Sequence, residues 1–101
     1  MQSIINEGRG RNIDVRVALS QIGTITLLSC GAQMKTLVYD TDYVKFKVSR
    51  RFWLVVKLNA KDEYDLEVAT VRKGEYKVVE QMHDVPAFNL PGAVRKIGDR
   101  A

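Results

Sequence analysis

Residues 43–82 have the sequence YVKFKVSRRFWLVVKLNAKDEYDLEVATVRKGEYKVVEQM, and this stretch decides the fold. Within it, apolar side chains recur at every second position in four short runs, at 44–48, 54–58, 64–68 and 76–79, and most of the positions between them are polar or charged. A period of two residues places successive side chains on opposite faces of a β-sheet. The stretch therefore predicts four strands that share one apolar face and one charged face.

The connections between these runs are short. Residues 49–51, 59–63 and 72–75 are of hairpin length, so strands that follow one another in sequence should be antiparallel neighbours. Upstream, the β-branched run Thr24–Ser29, TITLLS, predicts a fifth strand. Residues 34–39 fit either a short strand or a loop.

Helical patterns flank the predicted sheet. Asn12 or Asp14 can cap an N-terminal helix that ends at Gly23. After the sheet, we expect Asp84 to cap the next segment, Pro86 to be its first helical residue, and a short helix to cover about 91–97. The sequence thus predicts an α+β fold, with an N-terminal helix and a short C-terminal helix packed on an antiparallel meander of about five strands.

The chain has 101 residues, enough for one core, and we expect a flexible basic arm over residues 1–11 and a single domain over 12–101. Hydrophobic residues make up 46% and charged residues 28%, which is typical of globular proteins. No apolar run approaches the roughly 20 residues that span a bilayer, and the N-terminus lacks the pattern of a secretory signal. The single cysteine, Cys30, allows no internal disulfide, so we expect a cytoplasmic protein.

The net charge of +4 is concentrated in the first half of the chain, since residues 1–57 carry nine Lys or Arg against four Asp or Glu. Basic residues beside the aromatic Phe52 and Trp53 suit single-stranded nucleic acid, with phosphates on the charges and bases on the rings. Alternatively, these two rings complete the core and the lysines only keep one sheet face hydrated. The candidate nucleic-acid-binding residues are Arg9, Arg11, Lys45, Lys47, Arg50, Arg51 and Lys57.

The acidic residues of the predicted strand at 64–68 have an ordinary explanation. Asp65 and Glu67 should share one strand face, opposite Lys57 and Lys77 of neighbouring strands, as ion pairs on a hydrated surface. Two carboxylates on one face can also bind a metal. We expect no metal site, because no histidine is near them in sequence.

Catalytic chemistry is not indicated. Cys30 lies in an apolar setting that predicts a small buried side chain, and His83, the only histidine, is expected in a loop. Without a convergent acid, base and nucleophile, we expect a protein that is not an enzyme and needs no cofactor.

Several short motifs, taken together, resemble a widespread family of small uncharacterised bacteriophage and prophage proteins. The resemblance covers roughly residues 19–90, and its most specific part is LNAKDEYDLE at 58–67. The other motifs are SQIG at 20–23, GA at 31–32, VKFKV at 44–48 and YKVV at 76–79. The family has no established activity, so the resemblance implies an origin but no catalytic residues.

These observations lead to two hypotheses about function. The first is a non-enzymatic phage-type accessory protein, in the cytoplasm of a bacterial host, that binds nucleic acid through the basic sheet face and the N-terminal arm. The alternative is a protein-interaction module with a host protein as partner, such as an inhibitor of a host defence system or a small assembly factor. Formation of a homo-oligomer is a further outcome that the sequence leaves open.

Overall fold

The computed structural model describes residues 2–49 and 51–98, and its architecture is the predicted α+β arrangement. In this part of the chain, five strands form one antiparallel meander in the order β1-β2-β3-β4-β5. The strands are β1 Gln33–Tyr39, β2 Tyr43–Lys47, β3 Phe52–Leu58, β4 Tyr64–Arg72 and β5 Glu75–Val85. The helices are α1 Val15–Ile22, α2 Thr24–Ser29 and α3 Leu90–Gly98, with 3₁₀ turns at Ile4–Asn6 and Ala87–Asn89.

The apolar face of the sheet forms the core, as the alternating pattern predicts. Val56 in β3 lies opposite Val44 in β2 and Leu66 in β4, and all three side chains are fully buried. The three helices cover this face, which we call the helix face, and contribute residues such as Ile22 and Val94 to the same cluster. Burying such aliphatic side chains stabilises the fold by about 1.5–3 kcal/mol each.

The first helix begins after Asp14, one of the two predicted caps, and ends at Gly23, as predicted. The Oδ1 atom of Asp14 accepts hydrogen bonds from the backbone N–H groups of Arg16 and Val17, so Asp14 is the N-cap. Gly23 ends the helix with φ of 91° and ψ of 141°, a conformation that is essentially restricted to glycine.

The prediction that Thr24–Ser29 is a strand is wrong, because this segment forms α2. Its β-branched residues favour strands only weakly, and here the burial of Thr26 and the half-burial of Leu27 against the core outweigh that preference. The fifth strand is instead β1, Gln33–Tyr39, the segment for which the sequence allowed a strand or a loop.

The C-terminal segment corrects two details of the prediction. Asp84 does not cap a helix, since it lies in β5, and Pro86 precedes the 3₁₀ turn instead of starting it. The helix predicted at 91–97 is confirmed as α3, Leu90–Gly98. Pro91 fits in its first turn, where a backbone N–H has no partner within the helix.

The segment predicted as a flexible arm lies against the sheet on the face opposite the helices. Ile4 is fully buried there, and the backbone N–H of Arg11 donates to the carbonyl oxygen of Leu58 at 3.1 Å. Gly10 passes so close to Leu58 that a Cβ atom at this position would lie 2.0 Å from its carbonyl oxygen. The flexibility of the segment stays a prediction, but its backbone is positioned by the sheet.

None of the helices within residues 2–49 and 51–98 has the length and apolar character that crossing a membrane requires.

Candidate functional site

The face of the sheet opposite the helices, which we call the second face, carries the charged side chains that the alternating pattern predicts. Residues 2–11, which we call the N-terminal segment, cover one half of this face, and the other half is open to solvent. The charged and aromatic side chains of the second face are Lys45, Lys47, Trp53, Lys57, Asp65, Glu67 and Tyr76. The two halves differ in whether these side chains are accessible to solvent or covered by the N-terminal segment.

Glu67 is the centre of the covered half. It is fully buried, and both of its carboxylate oxygens accept two hydrogen bonds each. Oε1 accepts from the backbone N–H of Ile4 at 2.9 Å and from Gln81 at 2.8 Å, and Oε2 accepts from the hydroxyls of Ser3 and Tyr76. A buried carboxylate is stable only when hydrogen bonds replace its hydration, and four donors do so here.

The environment of Glu67 also affects the pKa of Tyr76. Burial raises the pKa of its phenol well above the usual value, and the hydrogen bond to the Glu67 carboxylate raises it further. Both causes disfavour a second negative charge next to Glu67. Tyr76 therefore remains a neutral donor and links the covered half of the second face to the open half.

Lys57 completes the covered half from the neighbouring strand. It is 2% exposed, and its Nζ atom donates to the carbonyl oxygens of Ile4, Glu7 and Gly8 at 2.7–2.8 Å. Asp42 lies 3.8 Å from the same nitrogen. A buried ammonium group is tolerated because all three of its protons have acceptors. Lys57 thus holds the backbone of the N-terminal segment.

The expected ion pairs on a hydrated surface are wrong in most respects. Lys57 does lie opposite Asp65 in the register of β3 and β4, but both side chains are buried. Lys77 lies opposite Thr70, whereas Glu67 lies opposite Val55 and Gln81. Bulges between β4 and β5 shift the register, so alternation alone could not assign these pairs.

The open half of the second face combines cations with aromatic rings. The Nζ atom of Lys45 lies 5.1 Å from the ring centre of Trp53 and 5.8 Å from that of Tyr76. The Nζ atom of Lys47, which is opposite Trp53 in the register, lies 5.6 Å from the same indole. All four side chains are partly exposed. We call this group the basic-aromatic cluster, and its distances are those of cation–π contacts.

The other candidate nucleic-acid-binding residues are distributed around this cluster. Arg9 and Arg11 are exposed on the N-terminal segment, and Arg51 is exposed at the connection between β2 and β3. Arg50 is outside the described residues. Lys57 does not belong to the accessible cationic surface, because the N-terminal segment covers it.

Sequence reasoning missed most of the covered half. Ser3, Tyr76 and Gln81 become partners of Glu67 only through tertiary structure. The apolar pair Ile4 and Ile5, in an otherwise polar stretch, is the signal that could have indicated a packed N-terminal segment.

His83 and Cys30 do not form a catalytic pair in the structure. Cys30 follows α2 on the helix face, where its thiol donates to the carbonyl oxygen of Leu27 and burial raises the pKa of the thiol. His83 is in β5 instead of the expected loop, and its Nδ1 atom lies 3.6 Å from the Oδ1 atom of Asp65. The structure therefore brings the histidine to the acidic residue that sequence distance had separated from it.

Comparisons with models of protein families, with curated proteins and with solved structures found no match to this chain.

Proposed function

We propose that this chain is a small non-enzymatic accessory protein that binds single-stranded nucleic acid through the open half of the second face. The observation that carries the proposal is the position of two lysine ammonium groups within 6 Å of the Trp53 ring. The sequence resemblance adds a bacteriophage or prophage origin to the proposal, and the single cysteine adds a cytoplasmic location.

The basic-aromatic cluster has the two components that binding of a single strand requires. Phosphate groups are attracted to Lys45 and Lys47, and a neighbouring base can stack on the partly exposed ring of Trp53. Lysine side chains are flexible, so each ammonium group can exchange its contact with the ring for a contact with a phosphate. Arg51 and Arg9, which are exposed, extend the positive charge beyond the cluster.

The test uses Trp53, the only tryptophan of the chain, as the probe. We expect an oligothymidylate to quench its fluorescence, with an affinity that falls steeply as salt increases. In the variant with Lys45→Gln and Lys47→Gln, the slope of log affinity against log salt should decrease by about 1.4, since each phosphate contact on a single strand contributes about 0.7. The matched control is Arg95→Gln with Lys96→Gln, which removes the same charge from exposed positions of α3 on the helix face.

Two results would contradict the proposal. One is the absence of quenching at low salt. The other is an equal loss of affinity in both double variants, since net charge alone would then explain binding and the cluster would have no special role.

A second candidate function, docking to another protein, is favoured by a different observation. Ile25 and Leu28 project from α2 with 72% and 75% of their surface exposed, and Phe88 is 82% exposed after β5. Large exposed apolar side chains are common at protein interfaces. Affinity capture from nuclease-treated bacterial lysate distinguishes the two functions: a protein that is retained by the wild type and lost with Ile25→Ser and Leu28→Ser supports docking.

A further inference from the structure

Three chain segments that are far apart in sequence meet beside the covered half of the second face. Glu7 comes from the N-terminal segment, Asp65 from β4 and His83 from β5. One possible ligand atom from each residue lies within 4.8 Å of the other two. Two carboxylates and one imidazole form a donor set that binds divalent transition metals in proteins.

The distances are close to those of a coordination sphere. Zinc bonds of about 2.0–2.2 Å in a tetrahedron separate neighbouring donors by about 3.3–3.6 Å. The Nδ1 atom of His83 lies 3.6 Å from the Oδ1 atom of Asp65, so the imidazole is next to the Asp65 carboxylate, whose other oxygen, Oδ2, is the one available to an ion. A carboxylate oxygen of Glu7 lies within 4.8 Å of a ligand atom of each of the other two residues, so the Glu7 side chain has to move closer to complete the site. It is free to do so, because no other described residue forms a hydrogen bond or ion pair with this partly exposed carboxylate.

Asp65 is positioned as a ligand by its neighbours. The side chain is 8% exposed, and its Oδ1 atom accepts hydrogen bonds from the side-chain amide of Asn59 and the backbone N–H of Asp84, both at 3.0 Å. Such second contacts fix the orientation of a metal-binding carboxylate. Among the described residues no hydrogen bond ends on Oδ2, so this oxygen is the one available to an ion.

Space for the ion and its remaining ligand is present at the same place. Glu7 and Asp65, but not His83, line a cavity of about 210 Å³, which can hold water as the remaining ligand on the side of the two carboxylates. Arg9 and Lys57 also line this cavity, and their charges oppose a divalent cation. The ammonium group of Lys57 is directed at three carbonyl oxygens, which limits this opposition.

We propose that Glu7, Asp65 and His83 form a binding site for a divalent transition-metal ion of the zinc type. The imidazole ligand favours zinc and its first-row neighbours over magnesium and calcium, which prefer oxygen donors. Because one ligand is in the N-terminal segment and two are in the sheet, the bound ion ties the segment to the second face. This site is separate from the basic-aromatic cluster, so its test does not depend on nucleic-acid binding.

The experiment follows the imidazole signals of His83 by NMR during a titration with zinc chloride. His83 is the only histidine, so the signals need no assignment by mutation, and a Cys30→Ser background removes the thiol as a competing ligand. We expect the His83 signals to shift with zinc and to stay in place with magnesium. Zinc should also raise the melting temperature, since it binds only the folded chain.

The variants separate this site from adventitious binding. Glu7→Gln should weaken zinc binding by about tenfold or more, and His83→Ala should abolish the rise in melting temperature. The matched control is Glu75→Gln, an exposed carboxylate at the hairpin between β4 and β5, which should behave like the wild type. The proposal is overturned if zinc up to about 1 mM leaves the His83 signals unchanged, or if Glu7→Gln binds zinc as well as the control.

Discussion

At the scale of single residues, the charged face of the sheet contains two different environments. Glu67 and Lys57 are buried ions with full sets of hydrogen-bond partners, whereas Lys45 and Lys47 lie beside partly exposed rings. All four residues occur in the same alternating pattern, and nothing in that pattern distinguishes them. The distinction comes from the N-terminal segment, which covers only part of the face.

Tyr76 gives a prediction about pH at this scale. Its pKa is raised in the folded protein, so the folded state keeps the phenol proton at a pH where the unfolded chain has lost it. The stabilisation is therefore fully present below about pH 10, the ordinary tyrosine pKa, and is lost as the pH rises above it. In urea unfolding, the free energy of unfolding of the wild type should fall more steeply above this pH than that of Tyr76→Phe.

The control for this prediction is Tyr39→Phe, since Tyr39 is 70% exposed and its hydroxyl has no comparable environment. This variant should keep the slope of the wild type. If Tyr76→Phe also keeps that slope, the phenol does not lose a proton differently in the folded and unfolded states, which would contradict a raised pKa of Tyr76 in the folded protein.

At the scale of the elements, the junction between α1 and α2 decides how the helix face is covered. Gly23 joins the two helices without a loop, with φ of 91° and ψ of 141°, and Thr26 in the following helix is buried. In isolation, a β-branched run such as TITLLS would favour an extended strand. Here the packing of one side of the segment against the core favours the helix instead. Local preferences of this size are routinely outweighed by burial.

Substitutions of Gly23 at this junction and of Gly92 in α3 should change the free energy of unfolding in opposite directions. Gly23 has open space around it but φ of 91°, so Gly23→Ala should lower the free energy of unfolding by about 1–3 kcal/mol through backbone strain alone. Gly92 also has open space and lies in α3 without a positive φ, so Gly92→Ala should raise it by roughly 0.5–1 kcal/mol. Urea unfolding of both variants checks the prediction, which fails if the two changes have the same sign.

At the scale of the whole molecule, the sheet lies between two unequal layers. Three helices cover one face, and the N-terminal segment covers half of the other with its backbone held by Lys57 and Glu67. This second layer contributes few apolar side chains, so its attachment depends mainly on hydrogen bonds to buried ions. Much of the polar stabilisation of the fold therefore comes from contacts with a segment that has little secondary structure.

Removal of residues 1–11 tests this arrangement. Truncation leaves Lys57 without its three carbonyl acceptors and Glu67 without two donors, so the free energy of unfolding should decrease by about 3 kcal/mol or more. The matched control keeps the segment but removes its positive charge with Arg9→Gln and Arg11→Gln, and should stay within about 0.5 kcal/mol of the wild type. A truncated chain as stable as the wild type would show that the segment is not part of the folded structure.

How well the sequence predicts a feature of this structure depends on how far apart in sequence the interacting residues are. The strands of residues 43–82, their antiparallel order, the cap at Asp14 and the helix near Pro91 are set by contacts between near neighbours in sequence, and they were predicted. The identity of α2 and the position of Asp84 in β5 depend on distant contacts, and they were predicted wrongly. Three of the four members of the basic-aromatic cluster, the two lysines and Trp53, were identified from the sequence, whereas Tyr76 was not.

By itself, the sequence determined that a two-faced antiparallel sheet would form, because a period of two residues forces apolar and charged side chains onto opposite faces. Only the tertiary structure decided which charges are buried and which are accessible, because that depends on where a segment remote in sequence lies on the sheet. It also brought His83 to Asp65 and Glu7, since side chains from three distant segments meet only when the chain is folded.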